Sequence, residues 1–472
     1  MDRLSPLDAV FVDAEDEDRH TSMAIASIAI FDGPVPSYDE FFRHISGRLP
    51  QVPIYRRKLR TVPFRLGRPV WVEDPNFDLR YHLRRTALPA PGGDEQLSSL
   101  MARVMSQRLD RDYPLWEYWL VEGLSKGRWA VISKVHHCMV DGVSGTDLYR
   151  VIFDLSPEPP LPAAENRTVG AEPSAFRLAA QAMLDMALLP VRDASALGGA
   201  VARPGDTVRQ AADTMHAIVK LAPSLWPVAS SSLSGQIGQQ RRYTWARASL
   251  DDVKEIKREL GGTVNDVVLA AISGGFRALL LARGEEPEPH KVPSLVPVSL
   301  RAPGEESIYE NRVGALVAHL PVHVASPVKR LAAVQAQLTD LKASKEERAG
   351  EALIGIGRYI PFPVMSRGVR FLLSLPQREI VTVTTNVPGP QVPLYGAGRK
   401  LLEIIPYVSI ATTVRTGVSI FTYCGQVTFG ITGDFAANPD LDVLARGIED
   451  GIAKLRAAAR RGRRAARAAA KP

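Results

Sequence analysis

The residues best placed to do chemistry are His136 and His137, which follow an apolar run at 129–135 and precede Cys138-Met139-Val140-Asp141-Gly142. A neutral imidazole can take a proton from an alcohol or thiol near pH 7, because its ordinary pKa of about 6.5 lies close to that pH. Adjacent side chains on an extended segment point to opposite faces, so the two rings have different surroundings and cannot easily share one metal ion. Asp141 and Gly142 read as structural: Asp favours turns and anchors them through its carboxylate, and Gly takes backbone angles closed to other residues. The same stretch is compatible with a plain strand end capped by polar residues. Cys138, flanked by apolar residues, reads as packing rather than as a nucleophile. Ser144 lies in Gly142-Val143-Ser144-Gly145-Thr146, which lacks the last glycine of a Gly-x-Ser-x-Gly elbow, so a serine hydrolase is disfavoured.

A strand has to deliver the histidines, and 129–135 has that composition, as does 24–31. Helical patterns at 95–109 and 145–153 alternate with them, so residues 1–160 read as a mixed α/β domain. Residues 161–240 are rich in Pro, Ala and Ser and read as a helical linker, with amphipathic patches at 176–189 and 207–221 bounded by Pro190 and Pro223. Residues 241–450 mix the patterns again, with a buried helix at 265–283 and β-rich runs at 380–385 and 418–423, giving a second α/β domain. A basic tail fills 451–472. The 472 residues agree with two domains, since one core stops growing at roughly 250–300 residues, and a hydrophobic content of 45% supplies both.

Two cysteines, Cys138 and Cys424, offer no disulfide framework and fit a reducing cytoplasm. The N-terminus runs into the acidic stretch 13–18 without the basic and apolar regions of a signal peptide, and no run of about 18 uncharged apolar residues occurs. The net charge of +7 is concentrated: residues 454–471 hold eight basic and no acidic side chains, leaving the rest at −1. Such a tail can bind acidic phospholipid, or fray in solvent with no partner. Nucleic acid is not expected, because no aromatic residues interleave with the arginines.

His136-His137-Cys138-Met139-Val140-Asp141-Gly142 resembles the HHxxxDG signature of the bacterial wax ester synthase/diacylglycerol acyltransferase family, in particular its actinobacterial triacylglycerol synthases. Further blocks agree in order: Ser5-Pro6-Leu7-Asp8 with Phe11, Pro69-Val70-Trp71, Phe77-Asp78-Leu79, Leu109-Asp110-Arg111 and Pro114-Leu115-Trp116-Glu117. After the histidines come Val264-Asn265-Asp266-Val267, Val296-Pro297-Val298-Ser299-Leu300-Arg301, Asn311-Arg312-Val313-Gly314, Thr385-Asn386-Val387-Pro388-Gly389-Pro390, and Phe429-Gly430 with Asp434.

The resemblance implies an α/β fold of two CoA-dependent-acyltransferase-like domains with a substrate channel at their interface. It implies an O-acyltransferase that moves a long-chain acyl group from acyl-CoA to diacylglycerol, with His137 as general base and His136 in support. A long-chain alcohol acceptor, giving a wax ester, and a non-catalytic lipid-binding or lipid-body protein are the alternatives. Acyl-CoA enters as co-substrate, and neither a metal nor another cofactor is expected. The enzyme is expected in the cytoplasm, peripherally attached to the inner membrane or to lipid inclusions, with the linker patches and 360–364 as candidate contacts.

Five further positions carry secondary expectations. Asn265 and Asp266 are ordinary helix-start residues, and the resemblance places them near the histidines. Arg301 is a candidate partner for Asp141. Thr385 and Asn386 end a β-rich run and are candidate oxyanion donors, a function whose loss costs about 3–4 kcal/mol per donor; a solvent-facing loop is the plain alternative.

Overall fold

The computed structural model describes residues 2–140, 152–158, 172–192, 231–299, 313–343 and 380–469. Asp141, Gly142, Arg301, the patches at 207–221 and 360–364 and nearly all of 145–153 lie outside these residues. The architecture is mixed α/β, as expected, and among the described residues it is built on two six-stranded sheets.

The first sheet is ordered β11 (Tyr395–Gly396), β12 (Arg399–Tyr407), β1 (Ala24–Phe31), β6 (Trp129–His136), β5 (Trp116–Glu122), β4 (Leu83–Ala87). The second is ordered β7 (Arg241–Ser249), β14 (Gln426–Asp434), β13 (Thr416–Tyr423), β10 (Thr382–Val387), β8 (Pro293–Ser299), β9 (Val313–His319), and a hairpin of β2 (Arg57–Arg60) and β3 (Val70–Glu73) stands apart. Among the described residues the helices are α1 (Pro6–Glu17), α2 (Tyr38–Ser46), α3 (Leu79–His82), α4 (Asp94–Met105), α5 (Ala175–Arg192), α6 (Leu250–Leu260), α7 (Val264–Ala282), α8 (Pro327–Ala343) and α9 (Leu441–Ala469). The mainly apolar composition of β6 follows from its place between β1 and β5, where seven of its eight residues are buried.

The expected C-terminal domain at 241–450 does not keep its strands to itself. β11 and β12 join the first sheet, and β12 pairs antiparallel with β1 from Ala26↔Tyr407 to Phe31↔Leu401, covering an edge that would otherwise be open. The crossing passes directly over β14. Tyr243 and Ser419 donate their hydroxyls to the Pro406 carbonyl at 2.7 and 2.9 Å, and a Cβ on Gly430 would stand 1.6 Å from that oxygen. Gly430 is therefore demanded by close approach of two backbones, not by a turn.

α7 is the central helix of the second core. Thr263 and Asp266 close a capping box at its start, and Gly275 meets Gly447 of α9 so closely that either Cβ would collide. α9 buries Leu441, Leu444, Ile448, Ile452, Leu455 and Ala459 at three- and four-residue spacing, so it runs through the expected boundary at 451 without a break. The basic tail is not a free one: Arg456 pairs with Asp252 at 3.0 Å, and Arg460 and Arg463 pair with Glu255 at 3.2 and 3.3 Å, on the acidic side of α6.

α4 stops at Met105 although its helical pattern continues to 109. The buried Lys134 ammonium donates to the Val104 and Gln107 carbonyls at 2.9 and 2.5 Å, which closes the helix end from the sheet side. Burial lowers this lysine to about 8, against the pull of Glu117 and Glu15.

Candidate active site

β6 ends at His136, and the backbone of both histidines is tied to neighbouring elements. His136 N–H donates to the Leu115 carbonyl and His137 N–H to the Met23 carbonyl, both at 2.9 Å. Leu115 belongs to Pro114-Leu115-Trp116, so that block sits beside the histidines because it is the next strand in the sheet. The alternation of a strand separates the two rings as expected: His136 is 1% exposed, and His137 is half-buried at the start of a short helical turn, His137–Met139.

His136 Nδ1 accepts the Cys138 amide hydrogen at 3.2 Å and lies 2.9 Å from Cys138 Sγ. In the neutral ring this places the proton on Nε2, which faces Glu15 Oε1 at 3.4 Å. Glu15 itself is almost fully buried. Its Oε1 accepts the Met23 amide at 2.7 Å, and its Oε2 accepts from Arg108 and Arg111 at 3.2 and 3.1 Å. Burial alone would raise this carboxyl, but the His136 ring, the Met23 amide and Arg108 together hold it well below the usual carboxylate range.

One helix face organises both imidazoles. Phe11 and Glu15 are a single turn apart on α1: the Phe11 ring lies 4.3 Å from the His137 ring, centroid to centroid, and Glu15 faces His136. The helix is phased by its start, where Ser5 Oγ accepts the Asp8 amide and Pro6 takes the first turn. Glu15 escaped the sequence reading because it sits in an acidic stretch, 13–18, that resembles a solvated charge run. The available signal was its four-residue spacing from Phe11.

Cys138 is packing, as expected. It is 2% exposed, and burial together with Asp8 and Glu15 pushes its thiol well up, away from the thiolate.

Asn265 and Asn386 are brought together, with Asn386 Nδ2 donating to Asn265 Oδ1 at 3.2 Å, while Thr385 is half-buried next to Asn386 on β10. Asp266 instead serves the helix start, where its carboxylate accepts the Thr263 amide at 2.7 Å in the capping box. The two neighbours therefore separate in experiment. Asp266→Ala should cost about 0.5–2 kcal/mol in stability. Asn265→Ala, half-exposed and outside the cap, should lower turnover with an unchanged melting temperature; a variant as active as wild type would remove Asn265 from the site. The loop after Asn386 is fixed by Gly389, whose amide donates to Thr422 Oγ1 at 3.0 Å and whose Cβ would stand 2.0 Å from the Thr422 carbonyl.

Trp116 anchors an aromatic column behind the site. It stacks on Tyr55 at 4.5 Å and on His82 at 4.4 Å, and Phe77 stacks on the far side of His82 at 5.2 Å. Burial lowers His82 to about 4, and burial followed by Arg48 does the same to His44, which hydrogen-bonds the Ile152 carbonyl at 2.9 Å. Both folded values lie below the ordinary 6.5, so the unfolded chain binds more protons between those limits and stability falls as pH drops from about 6.5 toward 4. Each histidine should remove about 2–3 kcal/mol by about pH 4.5. Denaturant midpoints that stay constant between pH 7 and pH 4.5 would contradict this.

A cleft of about 580 Å3 lies between α4 and β7, lined by Asp94, Arg103, Arg242, Tyr243, Trp245 and Phe435 among others. Neither histidine is part of its lining. Among the described residues no group of three or more His, Cys, Asp or Glu side chains is arranged to hold a metal ion.

The catalytic-domain model described as "Wax ester synthase/diacylglycerol acyltransferase catalytic domain" matches residues 4–268, and the "WS/DGAT C-terminal domain" matches 309–456. The chain is 39% identical over 468 residues to a probable diacylglycerol O-acyltransferase, tgs1, of Mycobacterium tuberculosis, covering 98% of this chain and 97% of that one. A second putative diacylglycerol O-acyltransferase of that organism, Rv3371, is 31% identical over 456 residues, covering 96% and 91%. Among solved structures, the wax ester synthase/diacylglycerol acyltransferase of Marinobacter aquaeolei VT8 superposes with a TM-score of 0.68 at 25% identity, covering 97% of this chain and 100% of that one. The first condensation domain of the CDA synthetase shares the fold at 17% identity and a TM-score of 0.59, covering 97% and 96%. With the two family domains spanning most of its length and the histidine pair at the end of β6, the chain belongs to the wax ester synthase/diacylglycerol acyltransferase family.

Proposed function

We propose that the protein is an acyl-CoA:diacylglycerol O-acyltransferase that forms triacylglycerol. Relatives named as putative or probable diacylglycerol O-acyltransferases match 98% of the chain. The observation that carries the chemistry is the unequal pair: His136 is sealed against Glu15 and Cys138, while His137, its backbone held by Met23, keeps a half-exposed ring.

In this reading His137 takes the proton of the diacylglycerol hydroxyl as that oxygen attacks the thioester carbonyl of acyl-CoA. The tetrahedral intermediate places negative charge on the former carbonyl oxygen. Collapse expels CoA as a thiolate, which receives the proton from His137. The reaction needs a base and hydrogen-bond donors, and acyl-CoA is the only co-substrate it requires. The Asn265–Asn386 pair is the candidate donor set: with Asn265 Oδ1 engaged, its amide hydrogens are left to serve a third group. Asp141 and Gly142 are assigned to shaping the turn after His137. The acceptor is a membrane lipid, which supports a cytoplasmic enzyme attached peripherally to the inner membrane or to lipid inclusions.

Incubating the purified protein with labelled palmitoyl-CoA and either dioleoylglycerol or hexadecanol, then separating neutral lipids, tests the proposal. Labelled triacylglycerol supports it. Wax ester alone would favour an alcohol acceptor, the wax ester synthase activity that the family description also names, and neither product from folded protein would favour a lipid-binding role.

A further inference from the structure

A helix at a water-exposed surface ordinarily turns a polar face outward, whereas residues 175–184 of α5, whose side chains are described, expose a largely apolar one. The helix buries Leu178 and Ala182, one turn apart, against the β2–β3 hairpin: Leu178 clusters with Val70 and Val72, and Ala182 sits against Gly67. On the opposite side Phe176, Ala180 and Met183 form a second stripe at four- and three-residue spacing, and all three are exposed, Phe176 by 83%. Leu184 beside them is also exposed.

A second element, in contact with α5, also exposes an apolar side chain. The turn Pro63–Arg65 packs beside α5 and carries Phe64, which is 92% exposed. Phe64 has a φ of +54°, a left-handed conformation that a bulky side chain rarely adopts. The fold thus holds an aromatic ring out in solvent at a backbone geometry that costs energy. Cationic side chains stand at the margin: Arg177 is exposed on α5, and Arg65 is part-exposed although shared with Asp13 and Asp16 at 3.6 and 3.3 Å.

We infer that Phe64, Phe176 and Met183 form the surface by which the enzyme docks on a phospholipid bilayer, apolar side chains entering the acyl region and Arg177 meeting the headgroups. The inference rests on the acyltransferase reading for one point, that the acceptor is a lipid dissolved in that bilayer. Exposed apolar side chains on two elements that touch, with the exposed Arg177 on one of them, fit a lipid surface better than they fit water.

The test compares wild type with Phe64→Ser/Phe176→Ser/Met183→Ser in co-sedimentation with phosphatidylcholine–phosphatidylglycerol vesicles. These side chains are exposed, so melting temperatures should agree. The triple variant should bind at least about tenfold more weakly, and Phe64→Trp alone, which keeps an apolar ring, should bind as wild type does. With dioleoylglycerol in the vesicles the triple variant should lose turnover by a similar factor while retaining it on dispersed dioctanoylglycerol. Equal vesicle binding by the wild type and the triple variant overturns the inference. So does a wild-type dimer that the triple variant breaks without change in vesicle binding, which would make the face an interface between copies. If vesicle binding follows the inference but neither protein acylates dioctanoylglycerol, the acyltransferase reading fails and the docking surface stands.

Discussion

His137→Ala should form triacylglycerol about 10²–10⁴-fold more slowly than wild type, the range expected for loss of a general base, with little change in melting temperature. The ring is half-buried and touches Phe11, and the backbone tie from His137 N–H to the Met23 carbonyl survives the substitution. Packing loss is therefore small. His136→Ala should behave differently: its ring is 1% exposed between Cys138 and Glu15, so truncation opens a cavity and leaves a buried carboxylate short of a partner. Measured together, turnover and thermal melting separate the two roles. Wild-type turnover in a well-folded His137→Ala protein would sink the base assignment.

What the sequence makes legible is what local pattern determines. The run at 24–31 coincides with β1, and the run at 129–135 is β6 less its last residue, because strands packed between neighbours are written as mainly apolar stretches. The buried helix at 265–283 lies one residue off α7 for the same reason. Tertiary effects stay hidden. Lys134 ends α4 from a strand 30 residues away, and β12 leaves its own half of the chain to cover β1 at a crossing that requires Gly430. The basic tail reads as free because its partners, Asp252 and Glu255, are far earlier in the chain on α6, with Arg460 and Glu255 205 residues apart. At the site, the histidines are visible as a motif, whereas their support is not: Glu15, Arg108 and Arg111 become one cluster only when α1 is laid against the end of β6.

The same cluster makes Glu15→Gln the second large effect expected. Glu15 Oε2 receives two guanidinium groups and Oε1 an amide and the His136 edge; a glutamine turns an NH2 toward one of these donors and removes the charge. Breaking a buried ion pair from one side costs about 3–5 kcal/mol. Because the folded carboxyl lies well below its ordinary value of 4.5, this contribution is complete above that pH and declines only as pH falls further. The stability gap between wild type and variant should be constant from about pH 8 to pH 5 and narrow below about pH 4. Glu15 acts as a positioning residue, through His136, so kcat should fall more than KM rises, measured below the variant's melting temperature. Glu15→Asp supplies the control. It keeps the charge for Arg108 and Arg111 but is one methylene shorter, so it should recover part of the stability while leaving turnover low. Full recovery of turnover by aspartate would show that the charge alone matters, and that contact with His136 does not set the geometry of the pair.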